Sequence, residues 1–210
     1  MKKYNLLLSV CFICFLLFVF YESRIVRAFD DAAREFILSL RNDTLNEIVT
    51  AFTYLGDAKV LALSCIFGVI GLFLFRNWLS GILLLASIGI SYGVNLLLKN
   101  VFERERPLGS RLLEEDGFSF PSGNAMVGTS FYLFSAFLLY QKFQKPWILW
   151  IGAMLPFFLS VSRVYVGVHF PSDILAGFSI GLAFCVCLTI IYKTLNAKSA
   201  EIQINKNTYL

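Results

Sequence analysis

Long apolar runs dominate the chain, at about residues 5–21, 58–75, 78–98, 122–140, 146–162 and 173–192. Each approaches the roughly 20 residues that a helix needs to cross bilayer hydrocarbon, and turn-bearing or polar segments separate them. The pattern changes from Arg24 to Arg41. There Ile25, Phe29, Ala32, Phe36 and Leu40 recur on one helical face, while Arg27, Asp30, Asp31, Arg34 and Glu35 sit elsewhere. This segment is too charged to span. It is expected to lie in the interface, joined to a shorter piece containing Leu45, Ile48 and Phe52, either as a cover over a site or as a plain strut. The fold class expected is all-α: an integral membrane bundle of six transmembrane helices, one domain over residues 1–210, with an amphipathic interfacial helix after the first span. The stretch from about 196 to 210 is polar enough for a loose tail.

Orientation follows from the flanks. Lys2 and Lys3 precede the first run and no small-residue cleavage site follows it, so it reads as an uncleaved span with a cytoplasmic N-terminus. Six spans bring the C-terminus to the same side. The short loops there carry Arg76, Lys142 and Lys145 and no acids, as a cytoplasmic face does. Trp78, Trp147 and Trp150 lie near those span ends as interfacial anchors.

Composition narrows the picture further. A chain 58% hydrophobic and 15% charged has too many apolar groups for a soluble core, which makes the bilayer its solvent. A net charge of +4 without a basic stripe argues against nucleic acid as a partner. The five cysteines lie in apolar runs and read as small buried hydrophobes. With a single histidine in the chain, neither a metal site nor another cofactor is expected. Gly177 and Gly181, a small-residue pair at helical spacing, suit close packing inside the bundle.

Three polar clusters interrupt the apolar chain, and the span assignment brings all of them to the extracytoplasmic surface. The first runs from Lys99 to Arg106-Pro107, the second is Pro121-Ser122-Gly123-Asn124, and the third runs from Ser162-Arg163 to His169 and Asp173. Lys99, Arg106 and Arg163 are cationic donors, and a guanidinium engages two phosphate oxygens in one fork. Three cations beside a bilayer are costly without an anion. Ser122 adds a hydroxyl. Gly123 lets backbone approach closely where a helix begins, and free N–H groups and the dipole there favour an anion. His169 offers a neutral imidazole nitrogen as nucleophile, and Asp173 is placed to hold the other ring nitrogen. A lone histidine on an apolar helix is ordinarily structural. His169 differs in lying between Gly167 and Pro171, with Arg163 and Asp173 close in sequence.

These segments resemble the three signature motifs of the type 2 phosphatidic acid phosphatase family: Lys99, six residues, Arg106-Pro107; Pro121-Ser122-Gly123; and Ser162-Arg163, five residues, His169, three residues, Asp173. The resemblance extends to the six-span layout and nearly the whole chain. It implies a membrane lipid phosphatase needing no metal, with a phosphohistidine on His169. Asp173 would orient that histidine, and Lys99, Arg106, Ser122, Gly123 and Arg163 would bind the phosphoryl group. The small bacterial members it most resembles act on phosphatidylglycerophosphate or undecaprenyl pyrophosphate.

One position departs. The family's second motif ends in a histidine that protonates the leaving oxygen, and this chain has Asn124 there. An amide donates a hydrogen bond but surrenders no proton near neutrality. Three expectations follow: a preference for an anhydride substrate; a substitute acid among Glu103, Glu105, Glu114, Glu115 and Asp116; or a catalytically impaired, binding-only member. A transporter that merely holds an anionic headgroup would need a broken helix near the midplane, where Asn95 is the clearest polar residue.

Overall fold

The computed structural model describes residues 2–109 and 111–208, and the side chains of 3–109 and 111–199. Helices are the only regular elements among them. They are α1 (Lys2–Val19), α2 (Arg24–Ser39), α3 (Asp43–Thr53), α4 (Ala58–Leu74), α5 (Trp78–Phe102), α6 (Gly123–Phe143), α7 (Trp147–Tyr165) and α8 (Pro171–Thr208), with a 3-10 turn at Tyr54–Gly56. Side-chain caps set several starts. Ser23 accepts from Val26 N, Asn42 from Leu45 N and Asp57 from Lys59 N, each satisfying an N–H that a helix leaves free at its first turn.

Three helices are long and apolar enough to cross a membrane: α5, α7 and the 171–199 part of α8. Two bent pairs pass the same test together. They are α1 with α2, at 92°, and α3 plus the 3-10 turn with α4, at 49°. The tail expected from 196 is instead the continuing end of α8 through Thr208, and residues 209–210 lie outside the described residues.

α6 is the centre of the bundle, packed against α8, α7 and α5. Its buried side runs from Ala125 through Phe137 and includes the fully buried Met126, Thr129, Ser130 and Phe134. Polar groups are numerous inside, and several of them lean on backbone. Ser130 Oγ donates to Ser87 O at 3.0 Å and Asn95 Nδ2 to Pro121 O at 3.0 Å. The outward surface is the more apolar one, with Phe12, Leu17, Phe67, Leu74, Leu85 and Val101 all mostly exposed. That inversion suits a lipid solvent, where an outward Leu costs nothing and an outward Ser is unsatisfied.

Glycine sets how closely α8 approaches α6. A Cβ on Gly177 would lie 2.7 Å from Ser122 O, and one on Gly181 would run into Met126 O and Thr129. The pair thus packs within the bundle, as its spacing suggested. Cys11, Cys65 and Cys185 are buried, Cys14 is half-buried and Cys187 is exposed.

α2 turns the stripe of Val26, Asp30, Ala33 and Ile37 toward the bundle, and Ile37 packs against its buried residues. Ile25, Phe29, Phe36 and Leu40 point outward, while Asp30 on the polar side is 1% exposed and packs into the bundle.

Gly181→Leu is expected to force α6 and α8 apart, at a cost of about 1–3 kcal/mol or more, and to lower the melting temperature in detergent. Gly89→Leu, where nothing lies within 4 Å of an added Cβ, serves as the control and should melt like the parent.

Candidate active site

The end of the bundle formed by the C-termini of α5 and α7 and the N-termini of α6 and α8 gathers the polar residues. Local backbone chemistry places each one. α5 stops three residues past Lys99, where Glu103 adopts a left-handed φ of 45° and donates its N–H to Lys99 O. α7 ends in a Schellman motif: Val168 N donates to Arg163 O and Gly167 N to Val164 O, with Gly167 at φ 88°. This reversal explains the five-residue spacing from Arg163 to His169, because it turns the chain back over the last turn of α7. α8 then begins at Pro171, a favoured first helical residue, with Asp173 in its first turn.

His169 is 1% exposed. Its Nδ1 lies 3.3 Å from Asp173 Oδ2, and its Nε2 lies 3.3 Å from Arg106 Nη1. A guanidinium only donates and a carboxylate only accepts. The compatible tautomer therefore carries its proton on Nδ1 and a lone pair on Nε2, aimed into the cationic cluster. Burial, then Arg106, Arg163 and Lys99, hold the imidazole pKa well below the ordinary 6.5. The ring is therefore neutral near neutral pH.

Arg106 donates to Val168 O, Gly117 O and Asp116 O, each at 3.0 Å, which locks its fork in place. Burial is the main cause that lowers its pKa to about 10, which leaves it cationic. The carboxylate of Glu115 bridges Arg106, at 3.1 Å, and Arg163. Of the five loop acids named as substitute proton donors, only Glu115 reaches the cluster. Glu103, Glu105, Glu114 and Asp116 are exposed.

Ser122 is the N-cap of α6 but makes no side-chain cap bond, and its backbone N–H donates to Asp173 O at 3.1 Å. Ser122 Oγ, Asn124 Nδ2 and Arg163 Nε are buried without a hydrogen-bond partner among the described residues. Such orphans are costly unless a ligand meets them. A cavity of about 170 Å³ adjoins, with Lys99, Asn95, Glu115, Gly123 and Asn124 at its polar part and Leu61, Ile88, Leu96 and Val127 continuing it. Two larger, mostly apolar clefts, beside Lys142 and Lys145, hold none of these residues.

The sequence reading missed Arg104, Asp30 and Ser172. Arg104 Nη1 donates to Asp173 Oδ1 at 2.6 Å and to Ser172 Oγ at 2.7 Å, and Nη2 donates to Asp30 Oδ2 at 2.7 Å. The one available signal was a second arginine inside the first motif, two residues before Arg106.

The sequence profile of the PAP2 superfamily matches residues 80–197, more than half of the chain and all three clusters. The chain belongs to the PAP2 superfamily. Among PAP2 relatives, phosphatidylglycerophosphatase B of Bacillus subtilis is 36% identical over 75% of this chain and 80% of its own length. The undecaprenyl-diphosphatase of Sulfolobus acidocaldarius is 35% identical over 48% of this chain and 50% of its own. The crystal structure of a transmembrane PAP2 type phosphatidylglycerolphosphate phosphatase from Bacillus subtilis superposes with a TM-score of 0.84. It is 30% identical and covers 89% of this chain and 96% of that one. LpxE of Aquifex aeolicus gives 0.63 at 28% identity, covering 77% and 93%. The family's membrane phosphatase fold is thus present along most of the chain.

Because the imidazole pKa is depressed, lowering the pH through 6.5 should leave His169 neutral, with protonation only well below it. As the chain's one histidine, it gives a single imidazole signal in a labelled sample. A midpoint at or above 6.5 would contradict the site geometry. Glu115→Gln removes an anion from between two arginines and should tighten inorganic phosphate binding by about tenfold, the worth of one charge-assisted hydrogen bond. Unchanged affinity by calorimetry would mean that Glu115 does not compete for the cradle.

Proposed function

We propose that this chain is a six-span membrane phosphatase that removes phosphate from a lipid through a phosphohistidine on His169, with a preference for an anhydride such as a polyprenyl pyrophosphate. The observation that carries the reading is the imidazole of His169, with Nδ1 on a buried carboxylate and Nε2 facing Arg106, in the field of Arg163 and Lys99.

In this mechanism the lipid enters laterally along the apolar part of the cavity, and its phosphate replaces Glu115 between Arg106 and Arg163. Lys99, the Ser122 hydroxyl and the first turn of α6 at Gly123 complete the cradle. Nε2 attacks phosphorus in line as the bond to the leaving oxygen breaks, and Asp173 balances the imidazolium that forms. Water then displaces the phosphoryl group, and inorganic phosphate leaves. Asn124 donates a hydrogen bond to the leaving oxygen. A phosphate leaving group tolerates the lack of a proton better than an alkoxide does.

The six spans are α1, α4, α5, α6, α7 and α8. Both termini would be cytoplasmic and the site extracytoplasmic. The bond of 2.7 Å from Lys193 on α8 to Tyr4 on α1 supports termini on one side, and Lys142 and Lys145 sit at the end away from His169. A binding-only protein is the second reading, favoured by Asn124, which has no proton to give at the position of the family's acid.

Phosphate release from undecaprenyl pyrophosphate, phosphatidylglycerophosphate and phosphatidic acid in detergent tests both readings. The pyrophosphate should be turned over fastest, His169→Ala should release nothing above background, and acid-labile radiolabelled phosphate should be trapped on His169. Asn124→His should raise monoester turnover, up to the roughly 10²-fold that a general acid supplies. A parent silent on all three lipids, with Asn124→His active, would make the chain a binding-only form. Activity surviving His169→Ala would end the phosphohistidine mechanism.

A further inference from the structure

Beneath His169 lies a buried ionic chain that reaches from α8 to the interfacial helix α2. Asp173 Oδ2 faces Nδ1 of His169 and accepts from Phe170 N at 2.8 Å, while its Oδ1 accepts from Arg104. Arg104 is clamped on its other side by Asp30. Asp30 also accepts from Ser172 N at 2.8 Å and Ser172 Oγ at 2.6 Å, so one α2 carboxylate caps the start of α8 and holds the guanidinium. Tyr21 and Phe170 cover that guanidinium, with centroids 4.6 and 4.0 Å from Cζ. Asp30, Ser172 and Asp173 are each at most 1% exposed, and Arg104 is 8% exposed.

The charges in this chain alternate. Arg104 alone would cancel Asp173 and leave the imidazole facing a neutral pair. Asp30 returns the group to a net single negative charge, in a low-dielectric setting where that charge acts strongly on the ring. The other charges facing the ring are Arg106, Arg163 and Lys99, with Glu115 between the two arginines. Glu22, Arg27, Asp31 and Glu105 line the outer cleft beside Arg104.

We propose that Asp30 and Arg104 are positioning residues for His169: Asp30 fixes the Arg104 fork, and the fork aims the Asp173 carboxylate at Nδ1 and sets the charge the imidazole meets. The α2 helix thereby becomes part of the catalytic apparatus rather than a strut. The kinetic arm of the test rests on the phosphatase reading; the spectroscopic arm does not.

Asp30→Asn keeps the shape and removes the charge. Arg104→Lys keeps the charge and removes the fork, and carries the test if the first variant does not fold. Each is compared with the parent by kinetics on the preferred lipid, and by magnetic resonance of the lone histidine in labelled protein in detergent. The expected result for Asp30→Asn is a fall in kcat of about 10- to 100-fold with KM within about threefold, the rate equivalent of losing one hydrogen bond to a charged group in the transition state. The Nδ1 proton signal should move upfield and exchange faster with solvent. Arg104→Lys should show the same signs to a lesser degree. A merely structural role would lower the melting temperature and the active fraction without moving the Nδ1 signal of the folded protein. Variants with kcat within about twofold of the parent and an unmoved Nδ1 signal would overturn the proposal. If the parent releases no phosphate the phosphatase reading fails, and if His169→Ala remains active the phosphohistidine mechanism fails; in either case the Nδ1 signal still decides whether Asp30 and Arg104 position the ring.

Discussion

The site depends on a carboxylate kept buried at the start of a membrane helix. Asp173 is fully enclosed, and a lone buried anion there would be strongly destabilising. It is retained because donors converge on it from several parts of the chain: the Arg104 guanidinium, the Phe170 N–H and the Nδ1 of His169. Those donors can meet only if the loop after α5 and the α7–α8 turn are brought together, and Asp30 of α2 holds Arg104 from behind. Satisfying one carboxylate therefore fixes the arrangement of the whole polar end of the bundle. The His169 imidazole, as one of its partners, is oriented by the same requirement.

Upstream of that end, the bundle solves the opposite problem. Its helices present large apolar residues outward and put Ser87, Ser91, Asn95, Thr129 and Ser130 inside. Small side chains let α5, α6 and α8 approach closely; Ser130 donates to Ser87 O across the α5–α6 interface, while Ser87 donates to Leu84 O within its own helix. Gly177 and Gly181 bring α8 against the first turns of α6, next to Ser122. Close packing and site geometry are thus coupled. The contact that seats α8 on α6 also places Asp173 O over Ser122 N.

Much of this was legible in the sequence because it is written in short spacings. Apolar run lengths located the long helices, and the Arg163-to-His169 interval contained Gly167, the one residue type that takes the left-handed turn without strain. The ends were less legible. α5 continues to Phe102 past the expected 98, and α8 runs through Thr208, because a helix already anchored by packing continues into polar sequence. Asp30 was the largest omission. In the sequence it is one of five charged residues on the polar face of an amphipathic helix, and amphipathicity alone reads that face as solvated. In the structure Arg27, Asp31 and Glu35 are exposed along with Ile25, Phe29 and Phe36, and the stripe turned toward the bundle is Val26, Asp30, Ala33 and Ile37. Only the position of Arg104, a residue 74 positions away, reveals which of the five acts. Pairing across that distance leaves no periodic trace.

The Asn124 departure also changes meaning once the neighbours are visible. Its side chain lines the cavity with Lys99 at the first turn of α6, where an amide N–H adds to donors already aimed at an anion. Glu115, the one loop acid within reach, accepts from Arg106 and is ion-paired with Arg163, so in this arrangement it directs no proton toward a leaving oxygen. At this end the chain thus gathers cations, a hydroxyl and amides, and in this arrangement a ready proton donor from neither position. Such a site stabilises negative charge wherever it develops but does not discharge it by protonation. On the proposed phosphatase reading, that balance would favour a leaving group whose charge is already stable as an anion over one that must depart as an alkoxide. On the same reading the leaving group would be selected by what surrounds Asn124 as much as by the lipid chain.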